Sequence, residues 1–263
     1  MTLPKPKHLT AEYGAQFSDP SIASAYRFRP PYPDEVYTFL DRLIGNAPRV
    51  ILELGCGLGE IARRLAAQTA RVDAVEPSHA MLTLARRLPG GEQHNLQWYE
   101  CTAEAFAYRS EYGLVIAAES LQWMEWDRVL PAIRVALAPH GSLVVLDRRL
   151  DTVPWWTALR PQIPRYSTNS DFQPYDLLDE LAQRQLFHPE GRTTTTPVLF
   201  SQTVEDYVES WHSRNGFSRE RMSMSRASEF DTQVREIVRP YAQGGVLRYE
   251  VHVEVAWGVP NIV

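Results

Sequence analysis

The segment Val50-Ile-Leu-Glu-Leu-Gly-Cys-Gly-Leu-Gly-Glu60 decides the fold of this chain. A short apolar run carries one acid, Glu53, and three glycines follow at every second position. A segment with helical spacing, Ile61-Ala-Arg-Arg-Leu-Ala-Ala67, comes directly after them. Glycine permits unusual backbone angles and lets the main chain lie directly against a ligand. The strand, glycine turn and helix therefore predict the nucleotide-binding corner of a doubly wound α/β domain.

The chain alternates between strand and helix patterns around this corner. Strands are predicted at Val50–Leu54, Arg71–Val75, Leu96–Glu100, Leu114–Ala118, Ser142–Leu146 and Val198–Ser201. Helices are predicted at Glu60–Ala67, Ser78–Leu88, Arg128–Leu137, Val204–Ser213 and Glu220–Val238. Short apolar strands separated by helices are typical of a parallel sheet that is covered on both faces. The alternating apolar and polar residues at 246–257 instead predict a half-exposed antiparallel strand.

We therefore predict an α/β fold with a Rossmann-like, doubly wound, seven-stranded sheet. The sheet is expected to be mostly parallel, with one antiparallel strand near its C-terminal edge, and to carry a helical lid. Residues 1–263 are predicted to form a single domain. Its parts are an N-terminal lid, a cofactor-binding core, a lid and acceptor region, and the final strand, at residues 1–45, 46–148, 149–245 and 246–258. The polar residues 1–20 are predicted to be a mobile arm.

Composition narrows the class of partner. The chain has 27 basic and 32 acidic residues, for a formal charge of −5. Nucleic acids and anionic membranes require a basic surface, so neither is expected as the main partner. The longest apolar runs are strand-sized and too short to span a bilayer. Cys56 and Cys101 are the only cysteines, no metal-binding spacing is present, and we expect no metal and a cytoplasmic location.

The spacing of the glycines bears on the ligand. A dinucleotide site has the pattern G-x-G-x-x-G, and here Glu60 stands where the third glycine would be. A carboxylate at a helix N-terminus competes with a phosphate for the same amides, so the corner suits a ligand without phosphate. Glu76 ends the next strand, 21 residues after Gly55, where a carboxylate can bind both hydroxyls of a ribose. NAD and S-adenosylmethionine sites both use such an acid, so Glu76 alone does not separate them.

Six segments, in order, resemble class I S-adenosylmethionine-dependent methyltransferases of the small-molecule group that includes the trans-aconitate-type and type 11 enzymes. They are Ala25–Pro33, Leu52–Gly59, Asp73–Met81, Cys101–Ala105, Ala117–Trp126 and Leu137–Val145. The resemblance covers about residues 17–147, and the remainder of the chain is similar only in outline.

The resemblance implies a set of cofactor-binding residues for S-adenosylmethionine. They are Tyr26, Arg29, Glu53, Gly55, Gly57, Glu76, Pro77, Met81, Ala103, Glu104 and Ala118. The glycines are expected against the methionine part, Glu76 on the ribose and Met81 on the adenine. Arg29 belongs to the N-terminal lid and is expected to pair with a carboxylate. Thr102 stands where the family most often has an aspartate.

The acceptor side is less well marked. The family often has His-Trp after the fourth strand, where this chain has Gln122 and Trp123, and a glutamine orients a substrate but does not titrate near neutral pH. Gln122 and His212 are weak candidates for a catalytic role. Trp123, Trp155, Trp156 and Trp211 are candidates to line the acceptor pocket. Arg148, Arg149, Arg160 and Arg165 either hold a carboxylate acceptor or are surface charges.

These observations favour methyl transfer to a small-molecule acceptor (oxygen, nitrogen or carboxylate) by direct in-line displacement. One alternative is a protein of the same fold that binds S-adenosylmethionine or S-adenosylhomocysteine without transfer, which Gln122 motivates. A second alternative, an NAD-dependent dehydrogenase, is disfavoured by Glu60. The acceptor, the use of a general base and the oligomeric state stay open.

Overall fold

The protein was analysed as a computed structural model that describes residues 4–109, 111–150 and 153–261. The strands are β1 Val50–Leu54, β2 Arg71–Val75, β3 Leu96–Tyr99, β4 Tyr112–Ala118, β5 Leu137–Arg149, β6 Gly191–Thr194, β7 Val198–Thr203 and β8 Val246–Gly258. The helices are α1 Ala11–Gly14, α2 Pro20–Ala25, α3 Asp34–Ile44, α4 Glu60–Ala66, α5 His79–Arg87, α6 Trp126–Ala136, α7 Trp156–Leu159, α8 Gln162–Tyr166, α9 Leu177–Gln183, α10 Val204–Trp211 and α11 Met224–Val238. Each predicted helix and strand is present within a few residues of its expected bounds.

The strands form one mixed sheet in the order β3-β2-β1-β4-β5-β8-β6, and β7 pairs with the first half of β8. Strands β1 to β5 run parallel to one another. Strand β8 runs antiparallel to β5. The central parallel strands β1, β2 and β4 are almost wholly buried because helices cover both faces of the sheet there. The predicted Rossmann-like sheet with an antiparallel C-terminal region is confirmed.

The described part of the chain has eight strands rather than the predicted seven. The additional strand, β6, is short and polar and pairs only with β8. Its residues are mostly exposed, so the strand needs no apolar face and leaves no apolar pattern in the sequence. Strand β8 therefore lies between β5 and β6 rather than at the edge of the sheet.

Three large apolar clusters hold the fold together. Two of them cover the opposite faces of the parallel strands. The third consists of buried side chains between Val153 and Val251, among them Trp155, Trp211 and Phe230. It joins α10 and α11 to β8. The lid region after β5 thus has a core of its own, packed against the end of the sheet.

The N-terminal arm is more ordered than the sequence predicts. Residues 7–28 form a series of short helical turns, and Leu9, Gln16 and Ile22 are buried. Two buried residues of the lid region, Asn169 and Gly216, donate hydrogen bonds to this arm, at His8 O and Gln16 Oε1 respectively. The expectation of a mobile arm is therefore wrong for this part of the chain, because distant segments anchor it. Among the described residues, no helix has the length and apolar character needed to cross a membrane.

Candidate functional site

The glycine corner between β1 and α4 can be built only from glycine at its critical positions. Gly55 and Gly57 have φ angles of +67° and +56°, in the region that side chains rarely adopt. A Cβ atom on Gly55 would lie 2.6 Å from the Cβ atom of Ser120, and one on Gly57 would lie 3.3 Å from the ring of Tyr26. The corner is therefore packed directly against the end of β4 and the N-terminal lid.

The carboxylate of Glu76 lies at the end of β2, beside this corner. It is 5% exposed. One oxygen accepts a hydrogen bond from the Gly57 N–H and the other from the Ser78 N–H, both at 2.9 Å. Burial raises the pKa of Glu76, although the two amide donors oppose that shift. The backbone of the corner thus fixes the carboxylate in one orientation at the rim of a cavity.

This cavity, which we call the donor cavity, has a volume of about 470 Å³. Its wall contains eight of the expected cofactor-binding residues, namely Tyr26, Gly55, Gly57, Glu76, Pro77, Met81, Ala103 and Glu104. Its other lining residues are Ala11, Gly14, Ala15, Phe17, Ser18, Thr102, Glu119, Ser120, Trp123, Met124, Glu125 and Arg128. The site thus joins the ends of four parallel strands, β1 to β4, to the N-terminal lid.

Residues 51–141 match the family model of a methyltransferase domain. This segment is similar to a methyltransferase domain and contains the glycine corner and Glu76. An uncharacterized methyltransferase of Mycobacterium tuberculosis is 30% identical over 138 residues, which cover 51% of this chain and 54% of that protein. The chain therefore spans about half the length of the curated relatives it matches.

Two solved structures share the fold. One is a protein of Anaeromyxobacter dehalogenans provisionally assigned as a type II methyltransferase, with a TM-score of 0.59 at 20% identity over 88% of this chain and 97% of its own. The other is the YcgJ protein of Bacillus subtilis, with a TM-score of 0.52 at 12% identity over 86% of this chain and 100% of its own. Both likenesses therefore extend well beyond the matched methyltransferase domain.

Three of the expected cofactor-binding residues support the donor cavity from behind. The guanidinium of Arg29 stacks over the Tyr26 ring at 4.1 Å and binds Glu119 at 2.9 Å, so the carboxylate with which it pairs belongs to the chain itself. Glu53 is buried and accepts a hydrogen bond from the Ala62 N–H at 2.8 Å. Ala118 packs against the core at the end of β4.

Glu119 follows β4 and has a strained backbone conformation. It has a φ angle of +53°, which is unfavourable for a residue with a side chain. Its carboxylate accepts hydrogen bonds from Arg29 at 2.9 Å and from Arg148 at 3.0 Å. Burial alone would raise the pKa of Glu119, but Arg148 and Arg29 together hold it below its ordinary value. The side chain is therefore an anion locked between two arginines.

The N-terminus of α4 is already occupied by carboxyl groups of the chain. Glu53 takes the amide of Ala62 in the first turn, and Glu60 accepts a hydrogen bond from the Tyr32 N–H at 2.6 Å. Glu53 thus occupies an amide that a pyrophosphate would need, and Glu60 places an acid at the same helix N-terminus. The sequence disfavours a dinucleotide through Glu60 alone. The structure shows that Glu53 disfavours it as well.

Sequence reasoning missed the contribution of the arm to the donor cavity. Ala11, Gly14, Ala15, Phe17 and Ser18 all line it. The ring of Phe17 lies 5.5 Å from that of Trp123, and both line the cavity. The signal in the sequence is the presence of large apolar or aromatic residues such as Leu9, Tyr13 and Phe17 within a mostly polar arm.

The expected acceptor-side residues are dispersed. Trp123 lines the donor cavity, whereas Trp155 and Trp211 are 1% and 2% exposed within the third core cluster and Trp156 packs against it. For Trp155 and Trp211 the expectation of a pocket lining is wrong, because these indoles anchor α10 and α11 to β8. Trp155 is also held by a hydrogen bond to the Tyr207 hydroxyl.

His212 and Gln122 have structural partners. His212 is fully buried, with Nδ1 2.8 Å from the carbonyl oxygen of Phe217 and Nε2 2.6 Å from a carboxylate oxygen of Asp231. Both ring nitrogens are engaged, so the ring is not placed to take a proton from a substrate. The side-chain amide of Gln122 donates to the carbonyl of Glu119 at 2.9 Å.

Proposed function

We propose that the protein transfers the methyl group of S-adenosylmethionine to a small-molecule acceptor by direct in-line displacement. The observation that carries the proposal is the position of Glu76. Its carboxylate is fixed by two backbone amides at the rim of a cavity whose floor is a glycine corner. A ribose has two adjacent hydroxyls, and such a carboxylate can accept a hydrogen bond from each of them.

The donor cavity fits the other parts of the donor as well. Met81, Pro77 and Ala103 provide the apolar wall that an adenine ring requires. Gly55 and Ser120 lie on the opposite side, where close backbone approach suits the short methionine chain. The volume of about 470 Å³ is in the range of small-molecule sites.

The donor supplies a sulfonium-bound methyl group that is reactive by itself, so the protein has to align the acceptor and exclude water. Phe17 and Trp123 contribute neighbouring aromatic surface to the wall of the donor cavity. The net charge of −5 favours a small molecule over a nucleic acid as the acceptor. The carboxyls of Glu53 and Glu60 at the start of α4 disfavour NAD.

Calorimetry tests the proposal. We expect S-adenosylhomocysteine to bind the purified protein and NADH not to bind. The substitution Glu76→Ala removes the ribose partner and should weaken S-adenosylhomocysteine by about 1–3 kcal/mol. The matched control Glu92→Ala changes an exposed acid outside the cavity and should leave the affinity unchanged. Binding of NADH alone, or equal affinity in Glu76→Ala and wild type, would contradict the proposal.

A second experiment separates transfer from binding alone. The protein is incubated with methyl-labelled S-adenosylmethionine and an extract of small metabolites. Appearance of label in a metabolite supports the enzyme, whereas tight binding of S-adenosylhomocysteine with no labelled product supports the binding protein that Gln122 motivates.

A further inference from the structure

A second cavity of about 480 Å³, which we call the acceptor cavity, lies beside the donor cavity. Its floor consists of the last residues of β5 and the paired residues 254–256 of β8, and residues 175–178 cover it. Glu119 lines both cavities, and Gln122 lines the second. The acceptor cavity therefore opens at the carboxyl end of β5, next to the strand end where the donor cavity begins, and ligands of open α/β sheets bind at this edge.

The floor of the acceptor cavity carries more acid than base. One guanidinium, that of Arg149, lies 3.2 Å from Asp147 and 2.8 Å from Glu254. Two carboxylates thus share one cation, and Asp176 adds another acid at the cover. Arg192, on the edge strand β6, is exposed, as are Glu254 and Asp176. The lining thus has four acids, Glu119, Asp147, Asp176 and Glu254, against two arginines, and this balance favours a cation over an anion.

Two of the four arginines that the sequence offered for a carboxylate acceptor, Arg148 and Arg149, already have partners within the chain. Arg148 is bound to Glu119, and Arg149 to Asp147 and Glu254. An incoming carboxylate would have to displace these acids and would then lie among them. The expected role of Arg148 and Arg149 in holding a carboxylate is therefore not supported by the geometry.

Asp147 is the group in this cavity best suited to take up a proton. Its side chain is half-exposed. Partial burial raises its pKa to about 7, the carboxylates of Glu119, Glu254 and Asp176 act in the same direction, and the Arg149 guanidinium opposes them. The charged and titratable groups around it are Glu119 after β4, Arg149 on β5, Glu254 on β8, Arg192 on β6, and Tyr175 and Asp176 before α9. A carboxylate with such a pKa accepts a proton and releases it again near neutral pH.

We propose that the acceptor cavity binds a protonated amine as the methyl acceptor and that Asp147 receives its proton. This inference rests on the proposed function. The ammonium loses one proton to the Asp147 carboxylate, and the freed nitrogen lone pair forms a bond to the methyl carbon. The bond from that carbon to sulfur breaks, and its electron pair stays on sulfur. The products are a methylated ammonium and S-adenosylhomocysteine, and Asp147 returns its proton to water.

Binding measurements test this without relying on turnover. The full chain is first saturated with S-adenosylhomocysteine, which also shows that each variant is folded. Dissociation constants are then measured by ligand-observed NMR for butylamine and phenethylamine and for their carboxylate counterparts, pentanoate and phenylpropanoate. We expect each amine to bind at least about tenfold more tightly than its counterpart, as expected when one close charge contact is favourable.

Asp147→Asn and Glu254→Gln should each weaken the amines about tenfold. Asp179→Asn, the same chemical change at an exposed position on α9, should leave amine affinity unchanged. The rate of label transfer to the better amine should rise with pH through neutrality in wild type and lose that step in Asp147→Asn. Failure of both amines to bind, equal binding of the carboxylates, or unchanged amine affinity in Asp147→Asn would overturn the proposal. Failure of S-adenosylhomocysteine to bind would instead contradict the proposed function.

Discussion

The donor and acceptor cavities have nearly the same volume, about 470 and 480 Å³, but they are built in different ways. The donor cavity takes its lining from the N-terminal lid and from residues 55–128, and much of its wall is apolar. The acceptor cavity takes its lining from segments as far apart as Glu119 and Ala256, and six of its lining residues are charged. Adjacent cavities of one fold can thus differ completely in how directly the sequence encodes them.

The difference has a physical origin in the sheet. The donor cavity follows the segments directly after β1, β2, β3 and β4, so its residues are fixed by the strand before them. The acceptor cavity lies where β5 meets the antiparallel strand β8, and its cover comes from the region between them in sequence. Glu119 is the one lining residue that both cavities share among the described residues, so its support affects both.

The largest effect is expected from loss of that support. Arg148 is buried, binds Glu119, donates to the carbonyl of Pro30 and stacks over the ring of Tyr32 at 4.4 Å. Arg148→Met leaves the partly buried Glu119 carboxylate with one partner fewer, which should lower the free energy of unfolding by about 3 kcal/mol, the lower end for a buried pair. Urea unfolding measures the change. Both the donor and the acceptor affinities should fall together.

Arg165→Met is the matched control, because Arg165 forms an exposed ion pair with Glu229. The substitution should lower the free energy of unfolding by at most about 1 kcal/mol. The affinities of the donor and acceptor cavities should stay unchanged. Equal stability of Arg148→Met and Arg165→Met would show that Glu119 does not depend on Arg148 and that the wall between the cavities is held in another way.

A change at the glycine corner should affect the donor cavity alone. In Gly55→Ala the new methyl group would lie 2.6 Å from the Cβ atom of Ser120, whose hydroxyl is bound to the carbonyl of Leu54. We expect the affinity for S-adenosylhomocysteine to fall about a hundredfold, or about 2.7 kcal/mol. Calorimetry gives the affinity, and the amine affinity of the acceptor cavity serves as the internal reference.

Gly244→Ala separates steric contact from backbone strain. Gly244 has a φ angle of +59°, similar to that of Gly55, but its Cβ position is free of described atoms within 4 Å. It should lower stability by about 1 kcal/mol, the cost of the left-handed conformation, and leave ligand affinity unchanged. A donor affinity in Gly55→Ala as high as that in Gly244→Ala would contradict the role of close packing at the corner.

The fold of the donor half follows from the sequence because its signals are local. The glycines after β1, the acid ending β2 and the apolar strands all act on residues next to them, and these elements were predicted within a few positions. Strand β6 and the anchoring of the arm were not predictable in this way. They depend on pairing with β8 and on contacts such as that between His8 and Asn169, which no local pattern records.

The same difference between local and distant signals explains why the residues of the donor cavity were easier to predict than those of the acceptor cavity. Glu76 and Met81 follow closely after β2, and both line the donor cavity. The tryptophans of the lid region were expected at a pocket because of their size, but Trp155 and Trp211 supply the core that this region needs. Asp147 and Glu254 meet only because β5 and β8 pair in register, which the sequence does not show.

Glu53 is a buried acid that supports the donor cavity from behind. Burial raises the pKa of Glu53 from an ordinary value of 4.5 to about 8. Between these values the unfolded chain releases a proton that the folded chain keeps, so stability is lost as the pH rises from about 4.5 to about 8, by up to about 1.4 kcal/mol per pH unit. Glu53→Gln removes this loss and still accepts a hydrogen bond from Ala62. Its stability relative to wild type should therefore increase with pH across this window.

Urea unfolding at several pH values from 5 to about 8 measures this difference. Glu236→Gln, at an exposed position on α11, should give a stability curve parallel to that of wild type. A curve for Glu53→Gln that is also parallel to wild type would show that the folded chain does not keep this proton.

The smallest effects should come from single aromatic side chains on either side of the wall. Phe17 faces Trp123 in the donor cavity, and Tyr175 lines the acceptor cavity. Phe17→Ala should weaken S-adenosylhomocysteine about fivefold, roughly 1 kcal/mol, because it removes apolar contact area. Tyr175→Ala should instead weaken the amine by a similar factor. If each substitution lowered both affinities equally, the two cavities would act as one site, because separate sites require each change to be felt on its own side of Glu119.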